Sequence, residues 1–131
     1  MNVWRLTTFA LSALLGGVVL AQNTMPVLTG PAYYQSNSDM TGSCNIRLLA
    51  GSHWVGLGND IMQNPPNPNN NPLCGKLVTV THNGVSLNCT VGDTCDGCSG
   101  GMMTISYAAL QYLDPDFNKK DFSTVSWSFV P

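Results

Sequence analysis

Every side-chain carboxylate of this 131-residue chain is an aspartate: Asp39, Asp60, Asp93, Asp96, Asp114, Asp116 and Asp121, with no glutamate. Carboxylates in pairs suit glycosidic cleavage, in which one acid protonates the leaving oxygen while the other, about 5–9.5 Å away, activates water or attacks the sugar. The candidates concentrate in Leu87-Asn88-Cys89-Thr90-Val91-Gly92-Asp93-Thr94-Cys95-Asp96-Gly97-Cys98, where an alternating strand runs into an acidic turn held between cysteines. Asp93 ends that strand and has two readings: a ligand-binding or residual catalytic carboxylate, or an acceptor for backbone N–H groups of the following turn. Asp96 lies in the turn, and the sequence does not set its direction.

Other reactive side chains form weaker patterns. His53 and His82 are single, distant in sequence and without a visible acid–base partner, so they read as loop and hairpin residues. The five cysteines are Cys44, Cys74, Cys89, Cys95 and Cys98. An odd number leaves at least one unpaired in a monomer, and spacing alone does not fix the pairing. Cys95-x-x-Cys98 lacks the second pair a zinc site requires and the βαβ surroundings of a thioredoxin-like redox centre. No metal and no cofactor is expected. Tyr33, Tyr34 and Trp54 could offer aromatic faces to the C–H side of sugar rings or serve a small core. Asn88-Cys89-Thr90 is a formal N-glycosylation sequon.

The compartment follows from the first residues. Arg5, an apolar run from Leu6 to Leu20, and Val19-Leu20-Ala21 before Gln22 read as a secretory signal peptide over residues 1–21. The run is too short to span a bilayer. Residues 22–131 then form one domain, expected to be secreted, extracellular and monomeric, with its cysteines in disulfides. Four cations (Arg47, Lys76, Lys119, Lys120) against seven aspartates leave it acidic. That balance argues against nucleic acid or an anionic membrane as partner and favours a neutral one.

Several elements must position these residues. Leu77 to His82 and Val85 to Asp93 are β-rich runs joined by Asn83-Gly84, a strong hairpin signal. Alternation puts Val85, Leu87, Cys89 and Val91 on one face, and continuing it would turn Asp93 inward. Ala32 to Gln35, patches between Ile46 and Leu57, Met102 to Ile105 and Ser123 to Val130 read as further short strands. Asn59 or Asp60 would cap a single turn through Ile61-Met62. Ser106 would cap a helix over Tyr107–Leu113, ended by Asp114-Pro115. Trp127 alternates with Val125 and Phe129 and belongs in the core. Residues 63–73, with four prolines and five asparagines, form an exposed loop. The class is all-β with one or two short helices, a small barrel or sandwich.

The order of Ala32-Tyr33-Tyr34, Gly42-Ser43-Cys44, Leu73-Cys74-Gly75-Lys76, the Asn83-Gly84 hairpin, Thr90 to Cys98, Ile105-Ser106-Tyr107-Ala108-Ala109-Leu110 and Val125-Ser126-Trp127-Ser128-Phe129 resembles the RlpA-like, barwin-like double-psi β-barrel proteins. Among these it looks most like fungal single-domain expansin-like proteins of the loosenin kind. The resemblance implies a six-stranded double-psi barrel with a polysaccharide groove, a Cys44–Cys74 bridge, a Cys95–Cys98 bridge and a free thiol at Cys89. It makes Asp93 a groove residue. It also puts Thr104 where the family pattern has a second aspartate, with Asn45 and Gly92 as further departures.

Threonine cannot donate a proton at a useful pKa. The implied function is therefore binding of cell-wall polysaccharide, cellulose or chitin, without hydrolysis, through Asp93, Tyr33, Tyr34, Trp54 and Thr104. The alternative is a protein-binding module, such as a cysteine or serine protease inhibitor or a secreted effector, with the proline–asparagine loop as its recognition edge. Fungal barrels labelled riboflavin-aldehyde-forming give a third analogy, unsupported by any flavin fingerprint here.

Overall fold

Asn83 and Gly84 both take positive φ, 46° and 81°, the backbone of a tight two-residue turn whose twist matches its flanking strands. That turn joins β5 (Leu77–His82) to β6 (Val85–Cys95), which pair antiparallel from His82↔Val85 to Leu77↔Thr90. The hairpin is one wall of a closed barrel in a computed structural model that describes residues 25–35 and 39–131. The leader expected over residues 1–21 lies outside the described residues.

The remaining barrel strands are β1 (Leu28–Gln35), β4 (Trp54–Gly58), β7 (Met103–Ser106) and β8 (Ser123–Phe129). Around the barrel the order is β1-β7-β4-β6-β5-β8. β1 runs parallel to β7 and β4 parallel to β6, while the other neighbouring pairs are antiparallel. Closure leaves no barrel strand with an unpaired edge. A short ribbon of β2 (Met40–Thr41) and β3 (Arg47–Leu48) lies outside this ring.

Period-two alternation fills the interior. Val55 and Leu57, Val78 and Val80, Cys89 and Val91, Met103 and Ile105, and Val125 and Trp127 all enter the core cluster. Each such aliphatic side chain contributes about 1.5–3 kcal/mol on burial. Trp127, expected in the core, is 2% exposed and donates its Nε1–H to the carbonyl of Gly101 at 2.9 Å, which offsets the cost of burying a polar atom.

Two short helices cap the barrel. α1 (Asn59–Met62) follows β4 directly, and α2 (Tyr107–Leu113) follows β7. Ser106 caps α2 as its sequence predicts, its Oγ accepting from the backbone N–H of Ala109 at 3.3 Å. Ala109, Leu110 and Leu113 then bury one stripe of that helix. α1 differs from expectation. Its cap is Gly58, with no side-chain bond, because β4 runs straight into the helix and leaves no loop for Asn59 or Asp60 to cap from. Asp60 instead accepts from the N–H groups of Ile61 and Gly100.

Cys44 bonds Cys74, Cys95 bonds Cys98, and Cys89 is free and buried. The Cys44–Cys74 bridge ties the segment between β2 and β3 to the end of the proline–asparagine loop. Most of that loop is exposed, as its composition predicts, but Asn71 is buried. Asn88 points outward from the middle of β6, its Oδ1 accepting from Thr79 Oγ1 across the hairpin.

Candidate functional site

The site is built around a bulge. β4 and β6 pair Val55↔Val91 and then Gly56↔Asp93, so Gly92 has no partner on β4. One extra residue reverses the alternation beyond it. Asp93 therefore does not point inward, as strict period two would have it. A Cβ built on Gly56, an outward position between the core residues Val55 and Leu57, would lie 3.4 Å from the Cβ of Asp93. Asp93 thus occupies the outer face of the barrel. The bulge is at glycine for a packing reason: a Cβ on Gly92 would meet Leu48 Cδ2 at 2.6 Å. Glycine here admits the β3 side chain against the barrel wall.

Asp93 is clasped from both sides. A Cβ on Gly42 would come within 2.9 Å of the Asp93 side chain, so only glycine lets the segment before Cys44 approach so closely. Asp93 Oδ1 accepts the backbone N–H groups of Ser43 at 2.9 Å and Thr94 at 2.8 Å. Among the described residues Oδ2 accepts no hydrogen bond. The carboxylate thus organises the turn through one oxygen, and the other has no protein donor among the described residues. Beside it, Ser43 Oγ and Thr94 Oγ1 lie 2.7 Å apart, and Asn64 donates to Thr94 Oγ1 at 2.9 Å.

On the other side of Asp93 the outer face continues strand by strand. Gly56 pairs with Asp93 on β6 and with Thr104 on β7, and Thr104 pairs with Tyr33 on β1. Asp93, Gly56, Thr104 and Tyr33 form one transverse row. Thr104 Oγ1 reaches only a long 3.5 Å bond to the carbonyl of Gly56, and a Cβ on Gly56 would lie 2.4 Å from it. Gly56 is therefore buried between the Asp93 and Thr104 side chains, which close over it from either side. Tyr33 ends the row and packs on Phe122, centroids 5.1 Å apart. Phe122 also lines a pocket of about 390 Å³ with His82, Lys120, Asp121, Ser123 and Thr124.

The three aromatics anticipated as one platform separate. Tyr33 belongs to the row. Tyr34, on the opposite face of β1, packs edge-on against Tyr107 and Phe117. Trp54 is 3% exposed and donates Nε1–H to the carbonyl of Leu49 at 3.1 Å, so its ring presents no stacking face. Trp54 lies on the same face of β4 as Gly56, but the Leu48–Leu49 segment covers it. Gly42, Ser43, Gly56, Asn64 and Phe122 escaped the sequence reading. A glycine inside each of two strands was the one available signal.

His82 was read as lacking a partner, yet the fold supplies one. Its Nδ1 lies 2.8 Å from the carbonyl of Thr124 and its Nε2 3.5 Å from Asp114 Oδ2. Asp114 is buried and also accepts from Ser123 Oγ at 2.5 Å and Lys120 Nζ at 3.3 Å. These contacts hold its carboxyl below the usual carboxylate range, chiefly through the Ser123 hydroxyl and, against the opposing effect of burial, through Lys120. The serine bonds the carboxylate and not the imidazole, so the cluster lacks the serine–histidine link of a hydrolytic triad. His53 is exposed. Burial pushes the Cys89 thiol up to about 12, which leaves it protonated and unreactive. Among the described residues no three His, Cys, Asp or Glu side chains converge as a metal site would need.

A closed six-stranded barrel with two parallel strand pairs and two short helices is a double-psi β-barrel of the barwin and RlpA-like class. No family model matches the chain. The papain inhibitor of Streptomyces mobaraensis is 30% identical over 134 residues, spanning 96% of this chain and 92% of that protein. This chain belongs to the same family as that inhibitor. The solved Streptomyces papain inhibitor superposes with a TM-score of 0.71, covering 81% of this chain and 96% of that one. An expansin mutant from Clavibacter michiganensis, solved with cellohexaose, is similar in fold, with a TM-score of 0.66 at 22% identity over 81% of this chain and 51% of that one. A homolog of the allergen Asp f 7 from Arthroderma benhamiae is 49% identical over 60 residues, 45% of this chain and 20% of that protein.

Proposed function

We propose that this chain is a secreted, non-hydrolytic binder of neutral cell-wall polysaccharide, cellulose or chitin, which lies across the Asp93–Gly56–Thr104–Tyr33 row. The observation that carries the reading is the pairing of Asp93 with Thr104 across Gly56. The Asp93 carboxylate and the Thr104 hydroxyl, on either side of Gly56, offer acceptors and a donor to sugar hydroxyls, and the Tyr33–Phe122 pair offers an apolar end. Asp93 and Thr104 stand two strands apart, about 9–10 Å between Cα atoms. A second acid at residue 104 would be spaced for glycosidic chemistry. A hydroxyl there cannot protonate a leaving oxygen, and no glutamate exists in the chain to do so.

Folded protein mixed with insoluble cellulose, chitin and peptidoglycan tests this directly. Retention on at least one, without new reducing ends, is expected. Absence from all three pellets refutes the reading, and release of reducing ends refutes the non-hydrolytic part.

A second reading, inhibition of a papain-type cysteine protease, is favoured by one observation: the relative matched along 92% of its length is a papain inhibitor. Steady-state papain assays separate the two, since a glycan binder leaves the protease unaffected. Both readings place the protein outside the cell, as its disulfides also favour.

A further inference from the structure

We propose that the loop from Gln63 to Leu73 is the segment that enters the cleft of a papain-type protease, as a substrate-like strand that cannot be cut. The proposal rests on the second reading above and names the surface that would perform it.

The loop is braced at its base and at its tip. At its base the buried amide of Asn71 donates to the carbonyl of Met62 and to Asn64 Oδ1, both at 2.8 Å, and accepts the N–H of Leu73 at 2.8 Å. Cys74 is tied to Cys44 immediately beyond. At its tip Asn67 caps a 3-10 turn, Pro68–Asn70, by accepting the N–H of Asn69. Four prolines fix φ along the way. A segment ordered before binding forfeits little entropy on entering a cleft.

Its chemistry suits a protease cleft better than it suits a second sheet or a charged surface. No residue from Gln63 to Leu73 is charged, so burial desolvates only amides and apolar rings, which neighbouring backbone groups can satisfy. Between α1 and the tip turn, the carbonyls of Gln63, Asn64, Pro65 and Pro66 accept no backbone hydrogen bond among the described residues. Proteases engage substrates by main-chain bonds to unpaired groups of an extended chain, the conformation Asn67 already holds (φ −101°, ψ 105°), while Gln63 at the loop's start is left-handed.

Resistance to cleavage follows from the sequence. Every peptide bond from Asn64 to Asn69 has a proline on one side or the other. At Asn64-Pro65, Pro65-Pro66 and Asn67-Pro68 the departing nitrogen is a ring tertiary amide with no N–H, and its ring crowds the leaving-group side of the cleft. Thiolate attack there would have to expel a hindered secondary amine from a segment the fold holds in place. The loop can therefore occupy the cleft without turnover.

The experiment uses the full mature chain with both disulfides intact, papain and a fluorogenic dipeptide substrate. Wild type is expected to inhibit. Pro66→Asp, which puts a charge at an exposed position on the loop, is expected to weaken inhibition at least tenfold. The triple variant Pro65→Gly, Pro66→Gly, Pro68→Gly is expected to weaken it similarly and to be cut between residues 64 and 70, as mass spectrometry would show. Tyr112→Ala, on an exposed face of α2, should inhibit as wild type does. Thermal melts confirm that each variant is folded, and Pro66→Asp keeps the test valid if the triple variant is not. Wild-type inhibition with both loop variants equally potent overturns the loop assignment alone. No inhibition by wild type overturns the second reading and this proposal together, and inhibition confined to subtilisin-type serine proteases overturns the cysteine-protease assignment.

Discussion

Replacing Gly56 by alanine tests the contact at the centre of the row. The new methyl would lie 2.4 Å from Thr104 Oγ1 and 3.4 Å from the Cβ of Asp93. The first distance is far inside contact, so Thr104 must rotate or β7 must shift. Overpacking of this kind costs about 1–3 kcal/mol, partly offset by about 0.5–1 kcal/mol from removing a glycine from a strand. A net loss of about 1–2 kcal/mol is expected by combining the two terms. Thr104→Ala alone should cost under about 1 kcal/mol, because its hydroxyl makes only one long bond. With the hydroxyl gone the clash disappears, and Gly56→Ala should then be neutral or stabilising by up to about 1 kcal/mol. Urea unfolding of the four proteins, followed by tryptophan fluorescence, gives the coupling energy, expected near 2 kcal/mol in magnitude. Additivity within about 0.5 kcal/mol would refute the contact geometry. The double variant should remain folded, with a methyl at residue 56 in the space of the Thr104 hydroxyl, and it should lose polysaccharide retention.

Three further outcomes follow from the site and its surroundings. Asp93→Ala removes an oxygen that serves two backbone donors and should cost about 2–3 kcal/mol in urea unfolding, whereas Asp93→Asn, which keeps an acceptor, should cost about 1 kcal/mol; both should lower polysaccharide retention. Asp114 has a folded pKa below its unfolded value of about 3.9, so its contribution is complete above that value and is lost as pH falls through the folded one; Ser123→Ala removes the main cause and should flatten the acid limb of stability against pH below about 4. Cys89, with its thiol at about 12 and its side chain buried, should resist a thiol reagent at pH 8 in the native protein and react once urea unfolds it; rapid labelling of the native protein would contradict its burial.

Local signals carried much of the fold. Asn83-Gly84 set the hairpin, Ser106 the start of α2, and the alternation of Val125, Trp127 and Phe129 the last strand. Each of these depends on neighbours in sequence. The pairing Cys44–Cys74 came from family pattern, since spacing left it open. The facing of Asp93 was misread because Gly92 is skipped in the pairing with β4, and a bulge is a property of two strands that no single strand reveals. Gly92 inside an otherwise alternating strand is nevertheless a visible warning. Gly56 comes to lie between Asp93 and Thr104 only when β6 and β7 pair on its two sides. The His82–Asp114 contact depends likewise on β5 and the end of α2 meeting across the barrel, 32 residues apart in the chain.

On the proposed reading, the same geometry suits the row to holding a chain more than to breaking one. Asp93 spends one oxygen on the turn that positions it, and its partner across Gly56 is a hydroxyl. Reinstating the acid with Thr104→Asp asks whether that is the only deficit; new reducing ends from cellulose or chitin would show that the rest of the groove is competent.

Amide chemical-shift mapping with soluble cello- and chito-oligosaccharides tests the central claim most directly. The account predicts that titration of the folded protein shifts Gly56, Asp93, Thr94, Thr104 and Tyr33 together, tracing one line across β6, β4, β7 and β1. Shifts confined to the pocket around His82 and Phe122, or absent with every oligosaccharide at millimolar concentration, would contradict it.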